Sequence, residues 1–446
     1  MKRFFIGAVF LLLAFSACPP VRAQQEMYPK KEGVAQPLQW KQLPPWMILD
    51  MELRGRAEEQ TSLGYVSGKD RLYVLTRVWG GLTVRPTNWF TAYAQFMDLH
   101  ALGLPLRDVA TNMRDTFDLR QGYLRANFRP VQLTVGRQEL RFGDERVIGI
   151  SDWSNTSRTF DAVDLKLGEK NSLDLFTSSV VTIAPTSLDK HGAGLTFHGA
   201  EGKITTLLPK TTLEPFVLVH ATRNVTSKQG AVGNKVATTF GVYYDTKLPL
   251  GFDSSATVDL QRGSYSNDSI HAGAAIFRGG WAIYKAPWKM HVQGEYDYAT
   301  GYSGRNPYRN GTYDQQYPSN HDAFGLVDLF GFQNIKQERF NFAFDPQTNL
   351  LGVIQVSSLH LASKSDTVYS GPGASIFPAP AGGFSRDGVG TELDASAKYV
   401  WHKSFVTNIG VGHFFPGAVM TSAHHGAPLT VAYLEFTYRF KVSQIK

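Results

Sequence analysis

The chain has 446 residues, 43% hydrophobic and 13% aromatic, with 19% charged residues, 42 glycines and a single cysteine. That balance excludes intrinsic disorder, a coiled coil and a disulfide scaffold, and no internal apolar run reaches the roughly 18 residues a membrane-spanning helix needs. The formal charge of +7 is too mild to point to a nucleic-acid partner.

The chain opens with Lys2 and Arg3 ahead of an apolar run from Ile6 to Phe15, followed by the small-residue pattern Val21-Arg22-Ala23. Residues 1–23 are therefore expected to be a signal peptide, with 24–45 as a periplasmic N-terminal segment. Ser16-Ala17-Cys18 offers a competing lipoprotein-type site, set back by Phe15 and the two prolines that follow. Cleavage after Ala23 removes Lys2, Arg3 and Arg22, lowers the charge from +7 to +4 and leaves no cysteine.

From residue 46 to 440 the dominant signal is a period of two. Leu124, Ala126 and Phe128 oppose Tyr123, Arg125, Asn127 and Arg129; Val163, Leu165 and Leu167 oppose Asp164 and Lys166. Val258 and Leu260 oppose Thr257, Asp259 and Gln261, while Met290, Val292, Tyr296 and Tyr298 oppose His291, Gln293, Glu295 and Asp297. Near the end, Leu434, Phe436, Tyr438 and Phe440 oppose Tyr433, Glu435, Thr437 and Arg439. One face suits hydrocarbon and the other water. The segments run roughly nine to fourteen residues, the length of a tilted strand crossing a bilayer and longer than the five or six usual in a soluble sandwich.

About eighteen such segments begin near Met47, Leu72, Phe90, Phe117, Val131, Phe160, Asn171, His191, Leu213, Val236, Phe252, Ser269, Lys289, Phe332, Thr348, Gly390, Ser404 and Leu429. The predicted fold is an all-β transmembrane antiparallel β-barrel over residues 46–440, with 441–446 as a C-terminal overhang. Short links such as 85–88, 129–130, 168–171, 249–251 and 402–404 alternate with long ones such as 103–116, 143–159, 302–331 and 364–389, as periplasmic turns alternate with extracellular loops. Two links break the rule: 266–268 is short where a long one is due, and 199–212 long where a short one is due. Closure is required because an open sheet leaves backbone amides facing lipid.

One segment departs from plain alternation: "GRQELRFGDERVIG" at 136–149 followed by "DWSNTSRTFDA" at 152–162. Apolar parity is odd at Leu133 and Val135 but even at Leu140 and Phe142, so either a bulge near Gly136 or departure from the sheet is expected. With "DLRQGYLRA" at 118–126 and "DLFGFQNI" at 328–335, this run resembles the alginate export family of outer-membrane porins across most of the mature chain. The resemblance implies an 18-stranded barrel in the bacterial outer membrane with an arginine-rich lumen that passes uronate polymers. That family's exporter has a long periplasmic turn associated with gating; the corresponding link here is only His402-Lys403-Ser404.

Guanidinium is permanently charged and its planar fork matches a carboxylate, so a ladder of arginines on the inner wall suits an anion path. The candidates for the path are Arg77, Arg125, Arg137, Arg141, Arg146, Arg158, Lys166 and Arg439, with Glu139, Asp144, Glu145, Asp152 and Asp161 as supporting acids. The bland alternative is an arginine–acid ladder that only braces the wall. Trp79, Trp89, Trp153, Trp281, Trp288 and Trp401 read as an interfacial girdle rather than sugar-stacking platforms. His413, His424 and His425 lack spaced partners for a metal, and Asp314, Asp322 and Asp328 lack a calcium-loop spacing, so no metal or cofactor is expected. No nucleophile motif organises the serines and histidines, which argues against a barrel hydrolase. The expected partners are an anionic polysaccharide or oligosaccharide, outer-membrane lipid and periplasmic secretion components. A general uptake porin for small anionic nutrients fits the same wall.

Overall fold

The structure is a computed structural model that describes residues 37–39, 43–283, 288–321, 323–423 and 425–443. The expected signal peptide, Cys18, Asp322 and His424 lie outside the described residues. Eighteen antiparallel strands form one closed sheet. In chain order they are β1 Met47–Thr61, β2 Arg71–Val84, β3 Phe90–Leu102, β4 Asp115–Phe128, β5 Val131–Gln138, β6 Phe160–Gly168, β7 Ser172–Thr182, β8 Leu195–Lys203 and β9 Thr211–Thr226. The second half comprises β10 Val232–Lys247, β11 Phe252–Tyr265, β12 Asp268–Ile283, β13 Met290–Ala299, β14 Ile335–Gln347, β15 Leu350–Leu361, β16 Gly388–His402, β17 Phe405–Pro416 and β18 Leu429–Ser443. β1 pairs with β18 from Ile48↔Ser443 to Thr61↔Thr430, which seals the barrel. The last strand therefore continues through Lys441 to Ser443, and residues 37–39 run parallel to that stretch.

The alternation read from sequence is the two-faced wall. On β1, Glu52, Arg54, Arg56 and Glu58 are buried while Leu53 is exposed. On β18, Tyr433, Glu435 and Thr437 are buried while Leu434, Phe436 and Tyr438 are exposed. The outward set Leu72, Leu82, Phe96, Leu124, Val258, Leu260, Phe340, Leu393 and Ile409 continues the apolar band, and lipid is the solvent such a band requires. Trp89, Trp281, Trp288 and Trp401 are exposed at the periplasmic ends of their strands, with Trp89 stacked on Phe128 and Trp281 on Phe252, as a girdle requires. Trp79 and Trp153 do not join it: both lie inside the barrel.

Of the two irregular links, the short one is as read and the long one is shorter than expected. β11 and β12 are joined at the extracellular end by the tight turn Ser266-Asn267. β8 extends to Lys203, past the glycine at 199, so its periplasmic link is shorter than the sequence suggests, and the isolated bridge Ile204↔Leu213 shortens it further. Of the two irregularities expected near Gly136, the bulge is absent, since β5 pairs with β4 and β6 without a register shift through that glycine, and the departure from the sheet occurs. The Gly136 φ of +128° is accessible to glycine, and a Cβ there would lie 2.2 Å from the Gly122 carbonyl oxygen. The chain then leaves the sheet after Gln138.

The interior is not polar throughout. Leu140 and Ile148, from the 139–159 loop, pack with the inward side chains Phe160, Phe176, Phe197, Phe216 and Leu218. Tyr313, Phe324, Phe330 and Phe332, from the 300–334 loop, pack on Ile270, Ala272, Ala274 and Ile276 of β12, and on Leu359 and Phe414. Each loop thus has its own apolar seat on the wall, which explains why β12 carries apolar residues on both faces.

Candidate functional site in the loop-filled lumen

The 139–159 and 300–334 loops fold inward and meet. Ile148 and Tyr317 form a parallel bridge, the Gly149 amide donates to the Tyr317 carbonyl at 2.8 Å, and the Trp153 and His321 rings stack with centroids 3.6 Å apart. What draws the first loop to the wall follows from strand register. Arg54 and Arg77 sit directly opposite one another on β1 and β2, an arrangement in which like charges repel. Asp152 lies between them. Its carbonyl accepts from Arg54 at 2.8 Å and from Arg77 at 3.1 Å, and its carboxylate accepts from Arg77 at 2.9 Å. Burial by itself raises the Asp152 pKa, but Arg77 and Arg54, then Arg439 and Arg120, hold it well below the usual carboxylate range.

Around this contact stand the guanidinium groups of Arg54, Arg56, Arg77, Arg120 and Arg439 and the carboxylates Glu52, Glu58, Glu139, Asp152 and Glu435. Arg56 pairs with Glu58 at 2.7 Å and Glu435 at 3.4 Å; Arg77 and Arg439 share Glu52 at 2.5 and 2.6 Å; Arg120 meets Glu139 at 2.5 Å. The flat faces of the cations are covered as well. Arg56 lies 3.5 Å over the Trp153 ring, and Arg77 and Arg120 each lie 3.7 Å from the Trp79 centroid, so the two tryptophans act as cation platforms. His321, under Trp153, is pushed well below the ordinary histidine pKa by burial, then by Arg56 and Arg54.

A second network ties the loops to the far wall. Arg146 crosses to Glu295 and, at 3.3 Å, to Asp297 on β13; Arg339 also pairs with Glu295, and Arg278 joins Asp144 to Glu295. Arg158 donates to the carbonyls of Gly149, Tyr317 and Pro318 at 2.7, 2.6 and 3.2 Å. Burial brings its pKa down to about 10 against the opposing pull of Tyr317 and Glu145.

The remaining predicted residues fall in three places. Arg125 faces inward, donates to the Thr134 hydroxyl at 3.1 Å and rests 5.0 Å over the Tyr123 ring. Lys166 is paired with Asp174 on the neighbouring strand at 2.9 Å, and Arg141 stays on its own loop with Glu139 and Glu145 at 2.8 and 3.6 Å. Arg137 departs from the expected lumen position. It shares the outward parity of Val135, and so does its partner Asp161 at 2.9 Å. Because β5 ends early, the Leu119 carbonyl of β4 lacks a strand partner, and Arg137 donates to it at 3.0 Å and to the Asp189 carbonyl at 3.3 Å. Arg137 is a clamp at the extracellular rim. Sequence reasoning missed Arg54, Arg56, Arg120, Arg278 and Arg339. The spacing of Glu52, Arg54, Arg56 and Glu58 at every second position was the available signal for the first two.

The loops divide the interior into separate cavities. One of about 630 Å³ is bordered by Arg158, His220, Lys228, Lys235, Asp268 and Asp314 on the extracellular side. Another of about 240 Å³, towards the periplasmic ends of β15 to β17, is bordered by Arg54, Asp152, Trp153, His321, Lys398 and Glu435. In the larger one, Asp314 is held well below the usual carboxylate range: burial opposes this, but His220 at 2.8 Å and Lys235 at 2.9 Å outweigh it.

The outer membrane protein opdK from Pseudomonas aeruginosa superposes with a TM-score of 0.60 at 11% identity, over 89% of this chain and 98% of that one. OccAB4 of Acinetobacter baumannii superposes with a TM-score of 0.60 at 13% identity, over 90% and 99%, and OccAB2 of the same organism with 0.61 at 10%, over 89% and 98%. At such identities the likeness is one of fold. No curated protein matches the sequence. The family profile described as alginate export matches residues 46–428. The chain belongs to the alginate export family, and it is an outer-membrane β-barrel channel rather than an enzyme.

Proposed function

We propose that this barrel passes anionic saccharides of the uronate type through a passage whose selective element is the arginine–tryptophan wall of β1, β2, β4 and β18. The observation that carries the reading is the stacking of Arg56 on Trp153 and of Arg77 and Arg120 on Trp79. A uronate presents a carboxylate that matches a guanidinium fork, and this wall holds such forks with their planes fixed against indoles. The selective force is local, because Glu52, Glu58, Glu139, Asp152 and Glu435 match the five arginines in number. A solute carboxylate gains by exchanging with one of these acids, and Arg54 at the edge of the 240 Å³ cavity is the accessible place to begin.

The test is a reversal-potential measurement on the purified barrel in a planar bilayer under a KCl gradient, with oligouronates added as blockers. Anion preference and oligouronate block are expected, and both should weaken in the double variant Arg54→Gln/Arg56→Gln. Cation preference in the parent protein, or block by neutral oligosaccharides of equal length, would refute the reading. A second reading, uptake of small organic anions, is favoured by one observation: the Trp153–His321 stack and the Ile148–Tyr317 bridge cross the interior, so a polymer has to part the loops where a small anion passes beside them. Conductance blocked by monouronates and indifferent to chain length would select that reading.

A further inference from the structure

Three carboxylates outside the lumen networks meet at the extracellular end of β4. Asp115 and Asp118 are three residues apart, so strict alternation sends them to opposite faces. The register with β3 steps from Met97↔Asp118 to Leu99↔Asp115, setting an extra residue against β3, and Phe117 takes a φ of +27°. This bulge turns both acids to the same side. The third carboxylate comes from the 183–194 loop: the Asp189 amide donates to Asp118 Oδ2, and Asp189 Oδ1 accepts from the Ala184 amide at 2.7 Å. The Thr116 hydroxyl, donating to the Pro185 carbonyl at 3.2 Å, holds the same loop down. One oxygen from each of Asp115, Asp118 and Asp189 lies within 4.8 Å of the other two.

The observation that points to a ligand is Asp115 itself. It is 0% exposed and neither of its carboxylate oxygens meets a hydrogen-bond donor; the group in reach is the Asp189 carboxylate, which when ionised brings no proton. A buried carboxylate in that condition requires a proton or a cation. The adjacent guanidinium does not serve, since Arg137 donates to Asp161 and to two backbone carbonyls and to none of the three carboxylates.

We infer that Asp115, Asp118 and Asp189 form a Ca²⁺ site that fastens the 183–194 loop to the barrel rim. Two oxygens bound to one Ca²⁺ at about 2.4 Å lie no more than about 4.8 Å apart, and the three donor oxygens lie within that bound. The donors are all hard oxygens, and water can complete a shell of the irregular kind Ca²⁺ accepts. Mg²⁺ demands about 2.1 Å and near-octahedral geometry and gives up its waters reluctantly, so three carboxylates supplied by a bulged strand and a loop suit it less well. The competing account is a proton shared between two of the acids.

The test uses the full mature barrel in detergent at pH 7.5, stripped with EDTA and titrated calorimetrically with CaCl₂ and, separately, MgCl₂. Amide hydrogen exchange at Ala184 and Asp189 is followed in parallel. A Ca²⁺-preferring site of millimolar or tighter Kd is expected, weakened at least tenfold by Asp115→Asn and by Asp118→Asn, with Ca²⁺-dependent slowing of exchange at both amides in the parent. The second variant keeps the test decisive if the first does not fold. Absence of Ca²⁺ binding in the parent, binding unchanged in both variants, or exchange at Ala184 and Asp189 indifferent to Ca²⁺ overturns the site. A parent silent to Ca²⁺ alongside a stabilised Asp115→Asn establishes the shared proton instead.

Discussion

Asp152→Asn tests whether the inward position of the 139–159 loop depends on charge. The substitution keeps the side-chain shape and leaves the backbone bonds from Arg54, Arg56 and Arg77 to the Asp152 and Trp153 carbonyls in place. It replaces the ion-paired bond from Arg77 to Asp152 at 2.9 Å by a bond from the same cation to a neutral amide oxygen. Arg77 is not stranded, because Glu52 remains 2.5 Å away. Removing the negative partner of a cation inside the barrel costs on the order of 1–2 kcal/mol when the carboxylate side chain is a third exposed. That corresponds to a roughly 5- to 30-fold rise in the frequency with which the loop leaves the wall. In single-channel records it should appear as more frequent excursions to a higher conductance. Because the matched set loses one negative charge, the reversal potential should also move towards stronger anion preference. Unchanged excursions together with an unchanged reversal potential would show that backbone bonds alone hold the loop and that Asp152 does not act electrostatically.

Two further outcomes follow from the same geometry. His321 is a base whose pKa is depressed when the loops are packed inward, so the inward arrangement is at full strength above about pH 6.5 and weakens as pH falls below it, when a released, hydrated imidazole takes up a proton that the packed one refuses. The weakening grows by at most about 1.4 kcal/mol per pH unit. Conductance excursions should rise between pH 7.5 and 5 in the parent and stay flat in His321→Gln; equal pH dependence in the two would remove His321 from the account. On the outer wall, Val258→Arg places a cation in the apolar band midway along β11, with an expected destabilisation of about 2–4 kcal/mol in urea refolding into lipid vesicles. Thr257→Arg, on the inward face, should cost far less, and equal costs would contradict the assigned facing.

The barrel was legible because lipid and water impose a strict period on every strand. Eighteen starts read from alternation fall within four residues of those observed, the larger errors lying at His191 and Val236, where strand ends meet polar loops. The site was less legible because it depends on three-dimensional events with no periodic trace. Arg77 and Arg439 followed from parity and stand on the inner wall. Arg137 followed the motif and stands at the rim, because β5 stops at Gln138 and leaves the Leu119 carbonyl for a side chain to satisfy. Trp79 and Trp153 looked like girdle residues by type, yet parity alone placed Trp79 with Arg77 on the buried face of β2. The inward fold of two loops, each seated on its own apolar patch, is a long-range contact that no local pattern announces.

The pairing of these charges changes what selectivity means in this lumen. A wall of unpaired arginines attracts anions from a distance, over a Debye length of about 8 Å at physiological salt. Here Arg54, Arg56, Arg77, Arg120 and Arg439 are interleaved with as many carboxylates, and Arg146, Arg278 and Arg339 with Asp144, Glu295 and Asp297, so the far field largely cancels. What survives is short-range and directional: Arg56, Arg77 and Arg120 are planar forks held against indole faces, and under the proposed function a passing carboxylate exchanges with the acid that engages each. Long-range attraction falls as salt is raised, whereas exchange at a buried pair is screened much less. Ionic strength therefore separates the two origins of anion preference. Block by oligouronates that persists from 0.1 to about 1 M KCl supports exchange at the paired wall, and block that collapses over that range places the selective charge in an exposed vestibule instead.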